Sequence, residues 1–194
     1  GVDPDSISLK QAEELHPDVI FREMVAEKLE FADNSFDAIS ISMALHHLPE
    51  IEKSLSEMQR VVKSGGWIIV SELFSDNLNP AQEVHKIFHH FRSKTHRILG
   101  VSHNETFKKK EIIEMIENSG INIQLQFEFI SGVNLSWNTA ELEARVEKMK
   151  GMLESVKEYT EYELLKPQIN EFRERAGKFG FQPATRVVVV GKKQ

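Results

Sequence analysis

The stretch from Ser35 to Leu73 switches its hydrophobic period twice, and this limits the fold more than any other feature of the chain. "SFDAISISMAL", Ser35–Leu45, is rich in strand-forming residues and reads as a β-strand. In "LPEIEKSLSEMQRVVKSGG" the apolar residues Ile51, Leu55, Met58 and Val62 recur at helical spacing, behind a proline, Pro49, suited to a first turn. Gly65 and Gly66 are expected to stop that helix, and "WIIVSELF" then runs on as a nearly unbroken apolar strand. A strand returned through a helix lies parallel to its predecessor, because a parallel pair needs a crossover of this length. Near-continuous apolar strands belong to sheets covered on both faces.

The flanks extend the pattern. Val2–Asp3 is a strand stub. Asp5 or Ser6 can cap a helix carrying Leu9, Ala12 and Leu15 until Pro17 ends it, and "VIFREMV", Val19–Val25, reads as a strand. Downstream, residues 79–98 read as a long helix rich in histidine and basic residues. "KKKEIIEMIENSG" reads as an amphipathic helix closed by Gly120, and "INIQLQFEFIS" alternates as a strand does. A charged helical stretch over 138–178 is expected to break at Pro167, and "PATRVVVVGKK" closes the chain as a buried strand. Leu142, Val146, Met149 and Leu153 make an apolar stripe in the charged stretch, which either packs on its own domain or serves as a lid or homodimer contact.

Composition removes several function classes. The formal net charge of −6 gives no footprint for a phosphate backbone, so no nucleic-acid partner is expected. No apolar run reaches membrane-spanning length, so no membrane partner is expected either. The absence of cysteine excludes a disulfide framework, a thiolate metal site and a thiol nucleophile, which fits a cytoplasmic location. At 194 residues a single domain of α/β class is expected.

In open α/β sheets ligands bind beyond the carboxyl ends of the strands. Asp3 lies at such an end, where a carboxylate can accept both hydroxyls of a ribose; taken alone, a capping or solvated acid is the simpler reading. His46 and His47 follow the strand ending near Ser42. His85 and His89 are four apart, on one helical face, with His90, His96 and His103 nearby. An i, i+4 pair can ligate a metal, but no acidic residue at matching spacing completes a site, so no metal is expected and a solvated or substrate-facing cluster is favoured.

Three segments in order, "GVDPDSISLKQAEE", "VAEKLEFADNSFDAISISMALHHL" and "EMQRVVKSGGWIIVSE", together resemble the class I S-adenosylmethionine-dependent methyltransferases, in the small-molecule branch that includes the ubiquinone and menaquinone methyltransferases. The resemblance covers about the first 130 residues and returns in the final strand. It implies a Rossmann-like, mostly parallel sheet with helices on both faces and an antiparallel last strand, residues 138–178 being a helical insertion between the last two strands. In that family a strand and glycine-rich loop precede the segment ending at Asp3. No G-x-G-x-G occurs in residues 1–194, so the resemblance implies an N-terminally incomplete fold with an unpaired gap and an open cofactor pocket.

Residue by residue, the resemblance makes Asp3 the ribose ligand of S-adenosylmethionine and puts Ala26 and Glu27 in the loop bordering the adenine. An acid often precedes that pair, where this chain has Val25. Ser42, Met43 and Ala44 fall beneath the methionine part, although Met43 and Ala44 are core residues by default. His47, His89 and His103 are the candidate catalytic bases, with Glu105 beside them, and Phe88, Phe91 and Phe107 are candidate pocket walls or plain core. His47 is equally a structural histidine. The activity implied is methyl transfer to a small-molecule acceptor. A non-catalytic module unable to hold the cofactor is the alternative, and a nucleotide-dependent dehydrogenase a third.

Overall fold

In the computed structural model, which describes residues 1–130 and 136–194, the strand–helix–strand unit is present. β3 (Phe36–Ser42) and β4 (Val62–Leu73) pair in parallel from Ala38 opposite Trp67 to Ser42 opposite Ser71. Between them α2 (Ile51–Val61) buries Leu55, Met58 and Val61. The two glycines do not stop α2, which ends before them; both lie inside β4. Register there jumps from Phe36 opposite Val62 to Ala38 opposite Trp67. Gly65 takes a φ of 71°, and a Cβ on Gly66 would stand 2.9 Å from the carbonyl oxygens of both Asp37 and Lys63. Only glycine fits that irregularity.

The main sheet runs in the order β3-β4-β6-β5, with β5 at Asn122–Phe129 and β6 at Arg186–Lys192. β6 is antiparallel to both neighbours, so three strands share one direction and the last opposes them. A mostly parallel sheet with an antiparallel last strand was expected; the antiparallel last strand is there, and the parallel part is matched in part. Because β6 enters between β4 and β5 and not at an edge, one ladder is parallel and two are antiparallel. One face carries the core: Ile68, Val70, Val187 and Val189 pack with Leu55 and Met58 of α2 and with Ile112 and Ile116 of α4 (Lys109–Asn118). The other face presents Trp67, Leu125, Phe127 and Phe129 as exposed residues. Helices were expected on both faces; among the described residues they cover one.

The remaining helices have a core of their own. α3 (Pro80–Ile98) starts at Asn79, whose side chain accepts the backbone N–H groups of Ala81 and Gln82 while Gln82 reaches back to the cap. It packs with α5 (Thr139–Glu154) and α6 (Tyr162–Phe179) around Val84, Phe91, Met149, Leu153, Ile169 and Phe172. Pro167 lies within α6, and the helical stretch breaks instead over residues 155–161. The proline removes a bond to the carbonyl of Glu163 in the first turn, a loss offset by burying Leu165, Ile169 and Phe172 around it.

β1 (Val2–Asp3) and β2 (Arg22–Glu23) form a separate parallel pair, so the strand read over Val19–Val25 is only two residues long. α1 (Ser6–Leu15) is capped by Asp5, which accepts from the N–H groups of Ile7 and Ser8 at 3.1 and 3.3 Å. Among the described residues β3 has a ladder partner only on its β4 side, and no ladder joins the two sheets.

Candidate functional site

Asp3 ends β1 and is exposed; its Oδ1 accepts the N–H of Asp5 at 2.8 Å. Ala26 packs against the sheet core, and the Oε1 of Glu27 beside it is buried with no donor. Ser42 ends β3. Met43 follows with a φ of 56°, in the left-handed region that bulky side chains seldom adopt, and its N–H donates to the carbonyl of Ser71 at 2.8 Å. Met43 turns the chain off the strand and delivers Ala44 to a 3₁₀ turn over Leu45–His47. Ser42, Met43 and Ala44 thus gather at the carboxyl ends of β3 and β4, while Asp3 sits at the carboxyl end of the separate pair.

A buried histidine cluster stands beside that turn. Glu72, wholly buried near the end of β4, accepts three hydrogen bonds. They come from His46 Nδ1–H at 2.9 Å, from Leu73 N–H at 2.8 Å and from His46 N–H at 3.3 Å. This holds the proton of His46 on Nδ1 and leaves Nε2 as an open acceptor. The His47 ring lies 4.3 Å from that of His46 and 4.2 Å from that of His103. His103, 1% exposed, faces His96 through Nδ1 at 3.1 Å and His89 through Nε2 at 3.5 Å. The loop carrying His103 is tied down where Asn104 N–H donates to the His46 carbonyl at 2.7 Å.

All three candidate bases are therefore brought together, but in an environment that keeps them neutral. Burial, reinforced by the other imidazoles, pushes His47 down to about 4, His103 to about 3 and His89 to about 2. A base this weak is poorly matched to taking a proton near neutral pH. The cluster is not a solvated one: His46, His89 and His103 are buried and His47 and His96 half-buried, with the 3₁₀ turn and the 99–108 loop closing over them. His85 and His90 have other duties: His85 Nδ1 accepts the N–H of Ala184 at 3.1 Å, and His90 bonds Thr106 and Glu105. Glu105 also pairs with Arg97, away from the other imidazoles. Phe91 and Phe88 belong to the helical core and Phe107 to the sheet core, so the plain reading of the phenylalanines is the right one.

Reading the sequence missed Glu72 and gave His46 no role. The signal was available: Glu72 is the one acid in the apolar run "WIIVSELF", and an inward carboxylate in such a strand needs buried donors.

Residues 1–70 match a family described as a methyltransferase domain. This stretch is similar to a methyltransferase domain, and the fold is similar to that of class I methyltransferases. Within that class the similarity runs to the quinone branch: a demethylmenaquinone methyltransferase from Renibacterium salmoninarum is 42% identical over 77 residues, 40% of this chain and 32% of that protein. A ubiquinone/menaquinone biosynthesis C-methyltransferase from Haemophilus ducreyi is 31% identical over 123 residues, 57% of this chain and 45% of that one. The chain thus covers less than half the length of these curated relatives. Among solved structures, an S-adenosylmethionine-dependent methyltransferase from Methanosarcina mazei superposes with a TM-score of 0.56 at 16% identity, covering 100% of this chain and 80% of that one. The [4+2]-cyclase SpnF reaches 0.58 at 14% identity, with 100% and 64% covered. One fold carries both chemistries, so the fold alone does not select the reaction.

Proposed function

We propose that this chain binds S-adenosylmethionine and transfers its methyl group to a small-molecule acceptor, with a quinone-type precursor as the first class to try. The observation that carries the reading is the placement of the methyltransferase-like stretch: its candidate contacts stand at carboxyl ends of parallel strands. The residues present fit the cofactor. Glu27 offers a buried acceptor oxygen without a donor, suited to the adenine amino group, and Asp3 presents a carboxylate suited to ribose hydroxyls. Ser42, Met43 and Ala44 form the strand-end floor for the methionine part. No glycine-rich loop lies within these 194 residues, so side chains supply the contacts assigned here.

S-adenosylmethionine supplies an electrophilic methyl group, and the protein's task is largely to position the acceptor against it. His47 and His103 border the acceptor side in this reading, presenting neutral ring nitrogens that orient it. A cytoplasmic enzyme, with α5 and α6 as lid or homodimer contact, completes the proposal. No described helix is long and apolar enough to cross a membrane.

The test is calorimetric titration with S-adenosylhomocysteine. Micromolar binding, weakened about tenfold by Asp3→Ala and by Glu27→Gln, is expected for lost charge-assisted hydrogen bonds. No binding at millimolar ligand, or binding indifferent to both changes, overturns the assignment.

A further inference from the structure

The histidine cluster has a second property that methyl transfer does not require. Candidate ligand atoms of His46, His47 and His103 all lie within 4.8 Å of one another. Nitrogens held at ~2.1 Å by one tetrahedral zinc stand about 3.4 Å apart, so the trio needs to draw in by up to about 1.4 Å at its widest. Glu72 supplies the outer shell that such sites use: its carboxylate binds Nδ1–H of His46 and leaves Nε2 pointing free, and it is itself fixed by two backbone N–H groups. Three imidazoles with nitrogen lone pairs, without thiolates, suit zinc, cobalt or nickel and not calcium or magnesium.

We propose that His46, His47 and His103 form a three-histidine site for one divalent transition-metal ion of the zinc class, with Glu72 as the positioning residue behind His46 and at least one coordination position left open. His89, whose Nε2 stands 3.5 Å from that of His103, is the neighbour available to the open side. An oxygen or sulfur donor of the acceptor could take the open position; that consequence rests on the methyltransferase reading, whereas metal binding does not.

The test uses the whole 194-residue chain, stripped with chelator and titrated with cobalt(II), following visible d–d absorption. One equivalent is expected to bind with a dissociation constant of micromolar or below, with zinc displacing it. His47→Gln and His103→Gln are each expected to weaken binding at least about tenfold, and Glu72→Gln by about 10–100-fold at unchanged stoichiometry. His85→Gln, whose ring serves Ala184, should leave binding unchanged. If His103→Gln does not fold by circular dichroism, the half-buried His47 decides. Absence of saturable one-equivalent binding, or full affinity in His47→Gln, overturns the site. Binding of S-adenosylhomocysteine is measured separately in chelator, so the metal site and the cofactor assignment fail independently.

Discussion

Replacing Glu72 tests the centre of the cluster directly. Its carboxylate is the acceptor for three buried donors, and Glu72→Ala leaves all three unanswered. A buried donor without an acceptor costs about 1–3 kcal/mol. Two of the bonds are short and the third, from His46 N–H at 3.3 Å, is long, so a total of about 4 kcal/mol is expected. Against a typical stability of about 5–15 kcal/mol, that brings the variant near unfolding. Glu72→Gln behaves differently. Its amide oxygen can take the place of Oε1, which serves two donors, and its NH₂ then opposes only the long bond; about 1–2 kcal/mol is expected. Urea unfolding of both variants in chelator, followed by circular dichroism, gives the comparison. An alanine variant within about 1 kcal/mol of the parent refutes the acceptor count. A glutamine variant as damaged as the alanine one shows that the charge matters more than the number of bonds.

Two further outcomes follow from single positions. Gly66→Ala places a methyl group 2.9 Å from two backbone oxygens that cannot move independently, so a loss of about 1–3 kcal/mol in urea unfolding is expected. His85 is held down at about 4 by burial and then by Arg145, against an ordinary value near 6.5. The unfolded chain therefore takes up this proton first on acidification. His85's contribution to stability is intact above pH 6.5 and falls by about 1.4 kcal/mol per pH unit between 6.5 and 4. Protonation also turns the Nδ1 acceptor against the Ala184 N–H. His85→Phe should flatten the stability profile by that slope, and an unchanged slope shows that His85 does not carry it.

Periodicity made the strand–helix–strand unit legible because Leu55, Met58 and Val70 report burial through spacing alone. It could not report that β6 slips between β4 and β5, since strand order depends on contacts more than sixty residues apart, such as Val70 with Val189. Nor could it show that α3 leaves the sheet for α5 and α6: an amphipathic helix does not name the surface its apolar face meets. Pro167 was misread for a related reason, as a breaker's cost is weighed against burial that the local sequence does not display. That Asp3 and Ser42 end strands was readable from position. The union of His46 with Glu72 was not, because His46 and Glu72 are joined only when β3 and β4 align side by side.

The cluster lies on the seam between two separate apolar cores, and this gives it a mechanical role that can be measured. His46 and Glu72 hang from the sheet, whose core ends with Val70 and Leu48; His89 and His96 project from α3, whose apolar side faces Phe172 and Met149. His103 bridges them on a loop pinned by Asn104 to the His46 carbonyl and by Phe107, whose carbonyl accepts Ser75 N–H at 2.9 Å. Polar groups bonded to one another across a seam, here with His89 Nδ1 the one buried ring nitrogen left without a partner among the described residues, hold it without the continuous dispersion contacts of a core. Phe172, fully buried among the helices, is the place to load one side only. Phe172→Ala should cost about 3–5 kcal/mol locally. If the seam uncouples the two cores, native-state hydrogen exchange will show the amides of α5 and α6 losing protection by that amount, while those of Val70 and Val189 keep theirs. An equal drop in both sets would mean that the histidine cluster transmits the damage, and that the two cores open as one.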